Sequence, residues 1–294
     1  MKHYRDFSDF LAGHFDGKMQ KLSVNAGFTC PNRDGTVGRG GCTYCNNVSF
    51  SPGYCRDHRG VTAQLEEGKR FFGRKYPSMR YLAYFQSYTS THGSDVDRLM
   101  ALYEEACSVE GVDGVIIGTR PDCMPDRLLA RLSRLPWAMV EYGAESACDE
   151  TLVRVNRCHT WADTADAVRR THDAGLPVGL HLINGLPGED EETILSTVDE
   201  VNRLPVDVVK FHQLQLIRGT RMALDVEQGV YDIPRFTPES YADLCVRLVR
   251  RLRPDIAIER FVSQSPPDLL IYPRWGLKNY QFTQLVNKLL SVTP

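Results

Sequence analysis

The chain has 294 residues, 42% hydrophobic and 24% charged, with a formal net charge of −2 and nine cysteines. That length suits one large α/β domain plus an extension. No run of about 18 apolar residues marks a membrane span, and an odd cysteine count does not fit a complete framework of intrachain disulfides.

The opening, Met1-Lys2-His3-Tyr4-Arg5-Asp6, holds no apolar segment. No signal peptide is therefore expected, and the chain reads as cytoplasmic, with reduced thiols. An apolar run at Leu22–Val24 predicts the first strand, and the loop "FTCPNRDGTVGRGGCTYCNN" (28–47) follows it. A helix is expected over Thr62–Phe72. Strands at Tyr81–Phe85, Val115–Ile117 and Met139–Tyr142 alternate with helices at Val96–Cys107 and Asp126–Leu135. Thr160 with Asp163 predicts a capping box for a helix over Trp161–Ala174, which Gly175-Leu176-Pro177 ends. A strand at Val178–Ile183, a helix at Glu191–Leu204 and a strand at Val206–Phe211 complete the series. Such alternation implies an α/β fold with a parallel sheet and right-handed crossovers. Six units suggest a barrel, open or closed, with its site at the C-terminal strand ends.

After about Arg218 the rhythm breaks. Thr237-Pro238 opens a helix to about Leu252, Ile256–Phe261 reads as one more strand, and Tyr280–Leu290 reads as a closing helix. Residues 1–218 are thus read as the barrel and 219–294 as an extension packed on it. Two segments are basic: Tyr54–Arg80 has seven Lys/Arg against three Asp/Glu, and Cys245–Pro294 has eight against three. They could form a phosphate-binding face or be solvated helix faces.

Cys30, Cys42 and Cys45 share the first loop, whose glycines let backbone wrap closely around a bound group. With Cys55 or His58 as a fourth ligand they would make a structural zinc site. As three thiolates on an iron–sulfur cluster they would leave one iron open to a ligand. Spacing alone does not choose between these metals.

The wider sequence resembles the radical S-adenosylmethionine (SAM) superfamily, most closely its YhcC/YtqA-type subfamily, near the elongator-catalytic-subunit-like branch. "CPNRDGTVGRGGCTYC" carries that subfamily's C-x11-C-x2-C. "YLAYFQSYTSTHG", "IGTRPDCMP", "EYGAES", "LVRVNRCHT", "HLINGLPGED" and "VKFHQLQLIRGT" follow in the expected order, and "IERFVSQSPPDLLIYPRWGLKN" resembles the C-terminal segment. The resemblance implies a partial (β/α)6 radical SAM barrel with a C-terminal extension. Cys30, Cys42 and Cys45 would ligate a [4Fe-4S] cluster whose fourth iron is chelated by SAM. One electron, from a donor such as flavodoxin or ferredoxin, would cleave SAM to a 5′-deoxyadenosyl radical.

The resemblance also assigns site residues. Tyr44 would pack near the adenine. Gln86 and Ser87 stand where relatives have a glycine-rich stretch at the methionine end of SAM, so side-chain roles are expected of them. Glu145 and Ser146 would lie near the ribose, and Glu141, four residues before Glu145, is a further cofactor-binding candidate. Arg157 would meet SAM or its carboxylate, with Arg154 as rival. His181 occupies a polar SAM-contacting position and could relay a proton, and Gly185 opens a turn near the adenine. Glycine at Gly118 replaces a glutamate common in relatives, which makes Asp122 and Cys123 candidates for substrate contact. Cys123 could supply a hydrogen atom, and Lys210 and His212 are read as looking into the site.

Two enzymatic readings result: modification of tRNA wobble uridine, by processing a carboxymethylaminomethyl side chain, or radical chemistry on a small metabolite or protein side chain. Tyr272, Trp275 and Tyr280 are compatible with stacking on a splayed base. A third reading is a zinc-stabilised, non-catalytic RNA-binding protein.

Overall fold

The computed structural model describes residues 2–55, 60–73 and 78–292. Strands β1 (Met19–Val24), β2 (Arg80–Phe85), β3 (Val112–Thr119), β4 (Ala138–Glu145), β5 (Val178–Asn184) and β6 (Val208–Gln213) lie side by side in chain order, all parallel. A short β7 (Leu216–Ile217) leaves this sheet. β8 (Ala257–Arg260) returns beside β6 as its seventh strand, and β9 (Leu270–Tyr272) pairs antiparallel with β7. The extra strand expected at 256–261 therefore extends the same parallel sheet.

Helix α1 (Phe7–Ala12) precedes the sheet, and α2 (Pro31–Asp34) lies in the cysteine loop. Helices α3 (Val61–Gly73), α4 (Val96–Ser108), α5 (Asp126–Leu132), α6 (Asp149–Arg154), α7 (Trp161–Asp173) and α8 (Glu191–Asn202) cross between strands. Helices α9 (Arg221–Glu227), α10 (Pro238–Arg251) and α11 (Asn279–Val292) complete the chain. The capping box expected at Thr160 and Asp163 opens α7, and Thr237 caps α10.

Strand alternation explains how the sheet is buried on both faces. Val115, Ile117, Val140, Tyr142, Leu180, Val209 and Phe211 face the helices. Tyr241 and Leu244 of α10 and Phe282 and Val286 of α11 belong to that same core. On the inner face, Leu82, Ile116, Met139, Val208 and Ala257 meet Phe10 and Leu11 of α1. The N-terminal helix thus plugs the bottom of the partial barrel; burying Phe10 alone is worth about 1.5–3 kcal/mol. Its cap, Asp6, also bridges to Ile258 of β8, in the gap between the two edge strands. Farther along the strands the inner face turns polar, and there the site begins.

Candidate active site

A cavity of about 490 Å³ opens at the C-terminal strand ends. Cys30, Cys42, Cys45, Tyr44, Gln86, Glu141, Glu145, Arg157, His181 and Lys210 all line it. Ser87, Cys123, Ser146 and Gly185 do not. β3 ends at Thr119, and the turn Pro121–Cys123 carries Cys123 past the strand tip, where Thr91 donates to its carbonyl. Ser146 is buried and donates to Glu189. A Cβ on Gly185 would stand 2.9 Å from the Phe236 ring, so that turn packs on Phe236.

The cysteine loop is held from outside itself. Asn156, in a left-handed backbone conformation (φ 55°), donates Nδ2 to the carbonyls of Arg39 and Gly41. Thr43 N donates to Val155 O, and Asn32 donates to Asn156 O. Arg157, the next residue, donates Nη1 to Cys42 Sγ at 3.4 Å and lies 3.7 Å from Glu145. Arg154 instead donates to Pro187 O, so the two arginines serve different turns.

Arg120, almost fully buried, forks onto Asp122 at 2.8 and 2.9 Å and donates to the Arg157 carbonyl at 2.8 Å. Asp122 is therefore a positioning residue for Arg157 through Arg120. Arg120 and Asn32 were not anticipated from sequence; each acts through backbone carbonyls more than 35 residues away.

A buried ionic layer forms the floor. Lys21 donates to Glu141 at 2.6 Å and to Glu259, Lys210 donates to the same two carboxylates at 2.8 and 3.1 Å, and His181 Nε2 meets Glu141 at 2.8 Å. Burial favours neutral Glu141, but Lys21 and Lys210 outweigh it and hold the acid well below its ordinary range. Burial, with Lys210 next, pushes His181 down to about 4. The imidazole is neutral at pH 7, and donation from Nε2 leaves Nδ1 as the acceptor.

The donor set fits the expected cluster. All nine cysteines are free thiols. Among the described residues, no three Cys, His, Asp or Glu side chains converge on a single ion position. Cys30, Cys42 and Cys45 nevertheless line one cavity, an arrangement that suits three sulfurs on separate irons. Cys55 points away, donating to Ser23 O at 3.1 Å, and does not line the cavity; His58 lies outside the described residues. Thr89 Oγ1 and Arg157 Nε border the cavity buried and without protein partners, as a polar cofactor would require. Burial, then Cys42, pushes the Cys45 thiol up to about 11, and a coordinating metal would act in the opposite direction, favouring its thiolate.

A model described as the radical SAM superfamily matches residues 29–201, and one described as the radical SAM C-terminal domain matches 206–291. The chain belongs to the radical SAM superfamily. It is 36% identical over 275 residues to YhcC of Escherichia coli (strain K12), covering 92% of this chain and 86% of that one. YtqA of Bacillus subtilis (strain 168) is 32% identical over 293 residues, 99% and 90% of the two chains. The tRNA uridine(34) acetyltransferase of Methanocaldococcus jannaschii is 32% identical over 178 residues, 60% of this chain and 32% of that protein. In fold the chain is similar to the archaeal Elp3 of Methanocaldococcus infernus, with a TM-score of 0.68 at 17% identity. That match covers 94% of this chain and 63% of the other. Radical SAM membership implies a [4Fe-4S] cluster and SAM, and overturns the non-catalytic zinc reading. No helix among the described residues is long and apolar enough to cross a membrane.

The nucleic-acid features are less exposed than their residue types suggest. Trp275 stacks on Phe282 and donates to Phe236 O, and the Tyr272 hydroxyl also meets Phe236 backbone. Tyr280 remains exposed. In the second basic segment, Arg247, Arg251 and Arg253 pair with Glu191, Asp199 and Asp255.

Proposed function

We propose that this radical SAM enzyme reductively cleaves SAM and uses the resulting radical on a tRNA wobble uridine, processing a carboxymethylaminomethyl side chain. The observation carrying the cleavage reading is the three-thiol cavity with the Arg157 guanidinium against Cys42. The tRNA reading draws on similarity to a protein named for uridine 34 of tRNA.

Cys30, Cys42 and Cys45 would hold the cluster, and Tyr44, Gln86, Glu145 and Arg157 border the space for SAM. When bound, cluster and SAM supply a 5′-deoxyadenosyl radical by one-electron cleavage of the sulfonium C–S bond. The chain's own residues do the rest. Arg157 neutralises thiolate charge at Cys42 and is itself held by Glu145 and the Gly143 carbonyl. His181 offers Nδ1 to a substrate proton while Glu141 fixes its ring.

The test is anaerobic incubation of reconstituted protein with reductant, SAM and tRNA. Release of 5′-deoxyadenosine with a changed wobble-nucleoside profile is expected. No deoxyadenosine would sink the cleavage reading, and deoxyadenosine with unchanged nucleosides would sink only the tRNA assignment. The paired Arg247, Arg251 and Arg253 favour a second reading, in which a small metabolite or protein side chain is the substrate.

A further inference from the structure

The ladder between β6 and β8 slips by one residue. Val209 stands opposite Ile258, but Lys210 stands opposite Arg260, so Glu259 is the extra residue of a bulge. Bulges re-aim side chains, and this one turns two consecutive charged residues into the cavity, which both Glu259 and Arg260 line. Their fates differ. Glu259 is held by Lys21 and Lys210. Arg260 places Nη2 at 3.1–3.2 Å from both ring nitrogens of His212, and its Nε is buried without a partner. Among the described residues no carboxylate pairs with it.

The floor therefore carries an excess positive charge at its β8 end. Lys21, Lys210 and Arg260 face Glu141 and Glu259, and the two nearby histidines do not add to either sign's demand. His212 is pushed well below its ordinary range by burial and by Arg260, so it stays neutral and can direct the guanidinium without competing for an anion. The wall beside Arg260 is stiff. Gln213 exchanges hydrogen bonds with the backbone N–H and C=O of Ser263, and Gln215 joins Ser263 O to Ser265 Oγ. This leaves a forked donor, presented from a strand end and braced by His212, with no carboxylate partner among the described residues.

We infer that Arg260, braced by His212, is the substrate-anion site of the cavity, and that its ligand is a carboxylate on the group the radical attacks. One excess charge matches a monoanion better than a dianionic phosphate monoester, and a planar guanidinium matches the two oxygens of a carboxylate. The resemblance expects SAM or its carboxylate at Arg157, beside Cys42 and away from Arg260. The inference rests on the radical SAM reading above and narrows its substrate: of the parts of a carboxymethylaminomethyl uridine, the carboxymethyl end is the one placed here.

The probe is N-(4-fluorobenzyl)glycine, an aromatic ring bearing a carboxymethylaminomethyl group, compared with its carboxamide, which keeps the amine and lacks only the carboxylate charge. Both are titrated by fluorine NMR into cluster-reconstituted protein saturated with SAM. The acid is expected to bind at least tenfold more tightly than the amide. Arg260→Gln should bring the two within twofold while leaving amide binding unchanged, which also shows that the variant is folded; Arg260→Lys should keep part of the preference. The site is overturned if wild type binds neither probe, binds both equally, or keeps its preference in Arg260→Gln. An Arg260-dependent acid preference beside unchanged tRNA nucleosides leaves the carboxylate site standing and removes the tRNA reading. A changed nucleoside profile that Arg260→Gln reproduces at every tRNA concentration does the reverse.

Discussion

Arg157 donates from Nη1 to Cys42 Sγ at 3.4 Å while its Nη2 is held by the Gly143 carbonyl. One guanidinium thus links the end of β4 to Cys42, a proposed cluster ligand. A charge-assisted bond to a buried acceptor is worth about 1.5–3 kcal/mol. Arg157→Leu is accordingly expected to lower 5′-deoxyadenosine release roughly 10- to 100-fold, with weaker cluster retention by iron analysis. Arg154→Ala, which frees Pro187 O and removes a charge near Glu189, should have a much smaller effect on both.

Gly143→Ala should act through the same guanidinium. A Cβ there would lie 2.7 Å from both Arg157 Nη2 and Glu145 Oε1, too close for either to stay. Iron content and deoxyadenosine release should fall in the direction of Arg157→Leu, by less. Unchanged values would mean that the Gly143 contact is not what holds Arg157.

Lys21 joins the two edges of the sheet, reaching Glu259 across 238 residues of sequence and Glu141 in the middle strand. Removing one partner of a buried ion pair costs about 3–5 kcal/mol, because the other charge is left without compensation. Lys21→Met should therefore lower the stability measured by urea unfolding by about that amount. Adding Glu259→Leu should recover much of the loss, since Glu141 keeps Lys210 and His181. If the double variant is no more stable than Lys21→Met, charge imbalance is not the cause.

Stability should depend on pH through groups of opposite sign. His181 and His159 titrate at about 4 and about 3 in the folded chain, mainly through burial, against about 6.5 when unfolded. Between pH 6.5 and those values only the unfolded chain holds the protons, so stability falls as pH falls. Glu189, raised to about 7 by burial, works the other way. Its folded form keeps a proton from about 4.5 to 7, so it costs stability as pH rises. Each group contributes about 1.4 kcal/mol per pH unit within its window. Urea unfolding from pH 5 to 6 should show a shallower slope for His181→Gln and a steeper one for Glu189→Gln.

What could be read along the chain was local or periodic. The strand runs, the caps at Thr160 and Thr237 and the cysteine spacing depend on neighbours within a turn or two, and all appear. Lys21, Glu259 and Arg260 were not legible, because only the curl of the sheet brings Lys21 to Glu259, and only a register slip turns Arg260 inward. Helix α1, six residues long, is too short to show a helical period. Cys123 was misplaced because β3 ends at Thr119 and the turn Pro121–Cys123 carries it past the strand tip, outside the cavity lining. Trp275 looked like a stacking platform by residue type, yet its ring completes the packing of Tyr241 and Phe282.

Cys42 and Cys55 give the sharpest division between cluster and zinc. Both are buried, so burial does not separate them. Their surroundings do: Cys42 receives the Arg157 guanidinium inside the cavity, whereas Cys55 donates to a β1 carbonyl outside it. Wild-type protein purified without oxygen should be brown, with iron and sulfide each near the roughly four per chain of a [4Fe-4S] cluster. Cys42→Ala removes one of the three proposed protein ligands and should abolish deoxyadenosine release with most of the iron. Cys55→Ala should keep the iron and lose about 1 kcal/mol of stability, as for one unmade hydrogen bond. Were Cys55→Ala to lose metal as completely as Cys42→Ala, a fourth thiolate would be ligating, no open iron would remain for SAM, and the three-ligand assignment would fail.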